Sequence, residues 1–273
     1  MIQKINCFIT KIFDIILYPF KFVNDFWGVF FLSVLSSFVV LIIYKHVSSP
    51  KRIKEAKDKI KSNILAIRIY RDFWKVILSS FFKSLFYTLK YFILNLGPVL
   101  VIILILGPVF MQMEIRYGMR PLKIGESFVV KAKFSSDIND LNIELLKNKD
   151  FKTLMNPVFI RAKNEVNWKL ETINKGFDEV EIKVNSNIYK KRLIIGDSKK
   201  ALSRKKMVKS SISHFMYPVE PLLEQKGNLE YIYIKYPSKL ISFLGLKIHW
   251  IIYYLIFVTI IVLALRKKFG VEF

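Results

Sequence analysis

The sequence predicts a membrane protein of mixed α and β class, with three transmembrane helices and one β-rich module between the second and third of them. Three observations predict it. Residues 26–44, 91–113 and 248–265 are apolar runs free of Asp, Glu, Lys and Arg. The chain is 53% hydrophobic yet carries a formal charge of +23, so its cations must be segregated into the segments between those runs. Beyond residue 121 the hydrophobic period changes from helical to two.

Each apolar run meets the length a bilayer demands. A helix rises about 1.5 Å per residue and the hydrocarbon core is about 30 Å thick, so roughly 20 residues are needed. Trp27, Tyr44, Tyr91, Trp250, Tyr253 and Tyr254 stand at or near the run ends, where amphipathic rings prefer the headgroup level. Residues 45–90 carry Lys51, Arg52, Lys54, Lys57, Lys59, Lys61, Arg68 and Arg71 against only Glu55, Asp58 and Asp72, which predicts a cytoplasmic arm. The tail, residues 266–273, opens with Arg266-Lys267-Lys268 and falls on the same side. The long connection between the second and third spans is also basic, but loops beyond about 60 residues translocate regardless of charge. The expected placement is multi-pass, N-out and C-in, in a bacterial inner membrane.

Residues 1–25 place Ile5, Phe8, Ile9, Ile12, Phe13, Ile16 and Phe20 on one helical stripe, as an interfacial helix bent at Pro19 would. In the arm, Ile53, Ile60, Ile67, Trp74 and Phe81 recur every seven residues, with Ile64, Leu78 and Leu85 in register. Pro50 suits a first helical turn and Asp72 a cap before a second helix from Phe73, so the arm reads either as a hairpin or as one long helix. The second span contains two Gly-Pro pairs, at Pro98 and Pro108, each of which removes a backbone donor and should kink the helix. Freed carbonyls in a bilayer need partners. Ser33, Ser36 and Ser37 of the first span supply hydroxyls, and with Asn95, Pro98 and Pro108 they form a candidate groove.

Within residues 122–238, alternation marks strands at 127–134, 158–163, 167–173, 180–184, 188–195 and 229–236, separated by Gly, Asn, Asp and Ser. Short strands at this spacing favour an antiparallel sandwich. Trp168-Lys169-Leu170 followed by Gly176-Phe177 looks like the core strand and hairpin of an immunoglobulin-like domain, here extracytoplasmic. The single cysteine, Cys7, excludes an intrachain disulfide to hold it.

Chemistry is sparse. His46, His214 and His249 are far apart, and no phosphate loop, nucleophile elbow or dinucleotide fingerprint occurs, so the expectation is a non-enzyme with no catalytic residue, metal or cofactor. The cation run Lys199, Arg204, Lys205, Lys206 and Lys209 reads either as an anionic-lipid or polyanion contact or as a solvated loop. Arg116, Arg120 and Lys123 read as a structural anchor through Glu114 or Glu126, or as contacts to lipid phosphate. DNA is not an expected partner.

The order interfacial helix, span, basic helical arm, span, outer segment, span resembles the core of the YidC-type membrane insertase superfamily, which includes the third subunit of the ER membrane complex. Ser49-Pro50-Lys51-Arg52, Arg116-Tyr117-Gly118, Tyr236-Pro237-Ser238 and Phe269-Gly270-Val271 are also similar to a family of bacterial three-span proteins of unassigned function. The resemblance implies a membrane-protein insertion or biogenesis factor. Its partners would be the lipid bilayer, ribosomes and nascent membrane proteins, with Lys51, Arg52, Lys54, Lys57, Lys59 and Lys61 as the candidate contact to ribosome, nascent chain or anionic lipid. The first span lacks the groove Arg of bacterial insertases, so no family residue carries over as a site. The alternative expectation is an envelope structural or binding protein whose β-sandwich recruits another envelope protein.

Overall fold

The N-terminal stripe forms helix α1 (Ile2–Ile16), and Pro19 then sets a 3-10 turn at Tyr18–Phe22. These elements come from a computed structural model, which describes residues 2–139, 141–146, 148–209, 216–224 and 227–271. Helix α2 (Asp25–Val47) starts where the Asn24 Oδ1 accepts the Phe26 amide at 3.0 Å, satisfying one of the donors a helix start leaves free. Helix α3 (Pro50–Ile69) places Pro50 in its first turn, where the missing N–H costs nothing.

The chain turns at residues 70–73, so the arm is two helices and not one long one. Helix α4 (Trp74–Met113) follows, one residue later than Asp72 capping would have it. The Lys57 Nζ lies 5.8 Å from the Tyr91 ring centroid, which brings α3 back antiparallel along α4. Pro98 and Pro108 do not interrupt α4, which is one helix of 40 residues where arm and second span were expected to meet at residue 90. A π-helical turn, Glu114–Gly118, closes it. Helix α5 (Trp250–Phe269) is the third apolar helix. Among the described residues, three helices are long and apolar enough to cross a membrane: α2, α4 with its π turn, and α5.

Among the described residues, eleven strands lie between α4 and α5. They are β1 (Ser127–Phe134), β2 (Ile143–Leu145), β3 (Phe151–Thr153), β4 (Val158–Ile160), β5 (Glu165–Thr172), β6 (Gly176–Val184), β7 (Asn187–Ile195), β8 (Lys205–Met207), β9 (Leu229–Ile234), β10 (Leu240–Phe243) and β11 (Leu246–His249). One sheet runs β3-β5-β1-β9-β8, with β4 also paired to β5, and a second runs β2-β6-β7. Alternation along β1 and β5 buries Phe128, Val130, Ala132 and Phe134 with Val166, Trp168 and Leu170. Val180, Ile182, Tyr189 and Leu193 of the second sheet join the same apolar cluster, so both sheets share one core. Each such side chain removed from water stabilises the fold by about 1.5–3 kcal/mol. β10 and β11 form a separate hairpin, which takes Ile248 and His249 from the expected third span; α5 begins only at Trp250.

By its internal packing the chain divides into two units. The first comprises Met1–Val29 and Pro108–Trp250, and the second Phe30–Gly107 and Ile251–Phe273. In the second unit Leu41 and Tyr44 of α2 pack with Ile102 of α4 and with Val258, Val262 and Phe269 of α5. The covered stripe of α4's first half holds Ile77, Ser80, Ser84, Tyr87 and Tyr91, while Trp74, Leu78, Phe81 and Leu85 of the expected heptad seam face outward. Small hydroxyl residues allow close helix approach, and the bulky apolar ones cover the outside, the reverse of a helix packed for water.

A candidate site at the helix ends of the first unit

In the first unit three ion pairs join acids and bases from distant parts of the chain, and a fourth, Arg120–Glu126, is local. Arg116, in the π turn, reaches Asp14 of α1 at 2.6 Å with its side chain 7% exposed. Its guanidinium donates to the Gln112 side chain and to the Thr10 carbonyl. Glu114, one turn before Gly118, accepts from the Trp250 indole at 3.0 Å and from Arg204 at 3.3 Å. Lys239 pairs with Asp25, the first residue of α2, at 2.6 Å. Arg120 grips Glu126 with two parallel hydrogen bonds of 2.8 Å. That bidentate pairing, with the Lys123 amide, holds the Glu126 carboxyl below its ordinary pKa.

Two glycines make this crowding feasible. A Cβ on Gly118 would overlap the Glu114 carboxylate, and one on Gly28 would overlap the Tyr117 hydroxyl. Glu114 can therefore fold back over the π turn, and Tyr117 can lie against α2. Beside Tyr117 is a cavity of about 30 Å³ lined by Leu17, Phe20, Lys21, Asp25, Arg116, Tyr117, Lys199 and Lys239. That volume holds about one water molecule, and the lining supplies the polar partners a buried water requires. The arrangement is suited to clamping: it ties the N-terminal helix, the starts of α2 and α5 and the end of α4 to the β strands.

The basic run is largely committed within the fold. Lys199 donates to the Val23 carbonyl at 2.8 Å, Arg204 pairs with Glu114, the Lys205 ammonium sits 3.7 Å from the Tyr231 ring centroid, and Lys206 donates to the Lys190 carbonyl at 2.7 Å. A second internal pair lies deeper. Lys191 is fully buried, 2.5 Å from Glu220 and 2.9 Å from the Ser203 carbonyl. Burial pulls its ammonium below the ordinary lysine value while Glu220 pulls it back.

The residues singled out from the sequence are distributed as follows. Ser33, Ser36 and Ser37 are buried, Ser37 donating to the Ser33 carbonyl at 2.7 Å and Ser36 lying beside the Tyr254 hydroxyl of α5. Asn95 donates to its own helix at the Tyr91 carbonyl, 2.8 Å away; Pro98 is buried and Pro108 half-buried. Lys51, Arg52, Lys54, Lys59 and Lys61 are exposed along α3, whereas Lys57 turns toward Tyr91. His214 lies outside the described residues. Asp14, Asp25, Glu114 and Lys239 were not recognised as a set. A usable signal existed for two: Asp14 is the only acid before Asp25, and Glu114 is the first after Asp72.

The class these features define is a chain with three helices able to cross a membrane and a two-sheet β region tied to helix ends by ion pairs. No protein-family model matches it, and no curated protein or solved structure is detectably similar to it.

Proposed function

We propose that the protein is a non-enzymatic, multi-pass membrane protein that assists insertion of other membrane proteins, in the manner of YidC-type insertases. One observation carries this reading. Between two of the apolar helices the chain builds the α3–α4 hairpin, whose turn region faces Ile64, Leu65, Ile69, Phe73, Trp74 and Phe82 outward beside Lys61, Arg68, Arg71 and Lys75. Apolar side chains this size gain nothing from water, but they do from an apolar client segment or lipid, and the adjacent cations suit ribosomal phosphate.

In this reading the arm and the tail from Arg266 are cytoplasmic, and the β region lies across the membrane. Ser33, Ser36 and Ser37 are covered within the helical unit, where Ser37 already bonds the Ser33 carbonyl, so in this reading they serve helix packing. An immunoglobulin-like sandwich is supported by strand order: β3-β5-β1 and β2-β6-β7 follow the D-E-B and C-F-G pattern, with β9 where strand A would lie. Trp168 sits on the E-like strand β5.

The test is a photo-crosslinking residue at Phe82 in the membrane-embedded protein, with ribosomes translating a single-span client. A crosslink to the client that a soluble nascent chain does not give is expected. Equal labelling of both chains, or no crosslink where a known insertase is labelled, overturns the proposal.

A further inference from the structure

The outer face of the β5-β1-β9 sheet is not a plain solvated surface. Strands β3 and β4 pair with opposite ends of β5, so the link between them, residues 154–157, must arch past the middle of that strand. The arch and Val158 wall a groove of about 400 Å³. Its floor is Val129 and Lys131 of β1 with Asn167 and Lys169 of β5, and Lys235 closes the far side. That volume falls within the range of ligand pockets.

Three features say what the groove would take. Val129 faces Lys169 on one side, and its carbonyl accepts from the Lys235 amide on the other. Neighbouring strands lie about 4.8 Å apart and alternate residues about 7 Å, so Lys169 and Lys235 are rooted about 10 Å apart with Lys131 completing a triangle. No acid lines the groove, and none of these three lysines is in an ion pair among the described residues. The wall is apolar: Met155 and Val158 are more than half exposed there. The Asn167 Oδ1, finally, is buried without a donor. Such an acceptor is costly unless a ligand supplies an N–H or O–H.

We propose that this groove binds an acidic, partly apolar peptide segment of another protein, with carboxylates on Lys131, Lys169 and Lys235, apolar side chains on Val129, Val158 and Met155, and a peptide N–H on Asn167. A phosphate polymer lacks the donor and the apolar groups. An acidic glycan has donors, but the groove offers no exposed ring to stack on, since Trp168 is buried. The inference gives chemistry to the expectation that the β region recruits a partner, and it does not depend on the insertion reading.

The test is fluorescence anisotropy of the full-length protein in neutral detergent, with a short peptide alternating glutamate and valine as probe. Binding is expected to weaken about tenfold in Lys169→Gln and to vanish in the triple variant Lys131→Gln, Lys169→Gln, Lys235→Gln, while Lys209→Gln, removing the same charge elsewhere, leaves it unchanged. A glutamate–serine peptide should bind several-fold more weakly. Equal loss with Lys209→Gln, equal binding of the serine peptide or of polyphosphate, or preference for an oligouronate would each overturn the proposal.

Discussion

The β region and the helical unit solve opposite packing problems. In the β region apolar side chains point inward and charge points outward: Val130, Leu170 and Ile182 are fully buried while Lys169 and Lys235 lie open. In the helical unit the pattern inverts. Ser33 and Ser37 are fully buried, whereas Phe86 and Leu104 of α4 are 63% and 77% exposed. Water drives the first pattern, because apolar surface removed from it is stabilising. The second suits surroundings as apolar as the side chains they would touch, where helix association rests on close packing and hydrogen bonds. The same chain thus carries two opposite packing patterns.

The largest test of this contrast is the Lys191–Glu220 pair buried inside the β core. Replacing Lys191 alone with Met leaves the Glu220 carboxylate buried without its cation and should lower the stability of the β region by about 3–5 kcal/mol. Adding Glu220→Leu should recover most of that loss, as read from denaturant melts followed by Trp fluorescence in detergent. A double variant as unstable as the single one would mean the site depends on its charges for more than neutrality. Next comes the helical unit. Ser37→Leu adds bulk where α2 is fully covered and should cost about 1–3 kcal/mol, whereas Phe82→Leu on the outward side of α4 should be neutral in thermal melts. Equal sensitivity at both positions would erase the inside-out distinction. The smallest effect belongs to the open Arg120–Glu126 pair, where solvent screening limits the gain to below about 1 kcal/mol. The folded Glu126 pKa is depressed, so its contribution is complete above the ordinary carboxylate value and is lost as pH falls through the lowered one. Glu126→Gln should flatten that acid limb of the melting profile slightly and leave neutral-pH stability nearly unchanged.

How much was legible in the sequence follows the same division. Strand β1 was readable to the residue because eight residues of strict alternation have one interpretation. Strands β2, β3 and β8 have three residues each, too few to show a period. The β10–β11 hairpin was hidden for another reason: its turn is Leu244-Gly245, both at positive φ, where an Asn-Gly pair would have announced it. The heptad seam did not carry over into α4, where Trp74, Leu78, Phe81 and Leu85 face outward and the covered stripe holds Ser80, Ser84 and Tyr87 instead. The Arg120–Glu126 pair was legible because it is local, whereas Asp14 and Arg116 are 102 residues apart and Glu114 and Trp250, joined by an indole hydrogen bond, are 136 apart. The groove on the β sheet could not be read at all, because it depends on the arch between two very short strands.

The proposed function requires α2, α4 and α5 to be dissolved in lipid, with the arm and the β region in water on opposite sides. The most direct measurement is labelling of single cysteines at positions 61, 104 and 169, in a chain with Cys7 replaced by Ser, by an impermeant maleimide in sealed vesicles of known orientation. The account predicts that Lys61→Cys and Lys169→Cys react from opposite faces and that Leu104→Cys reacts from neither. Labelling of positions 61 and 169 from one face, or ready labelling of position 104 before detergent is added, would contradict it.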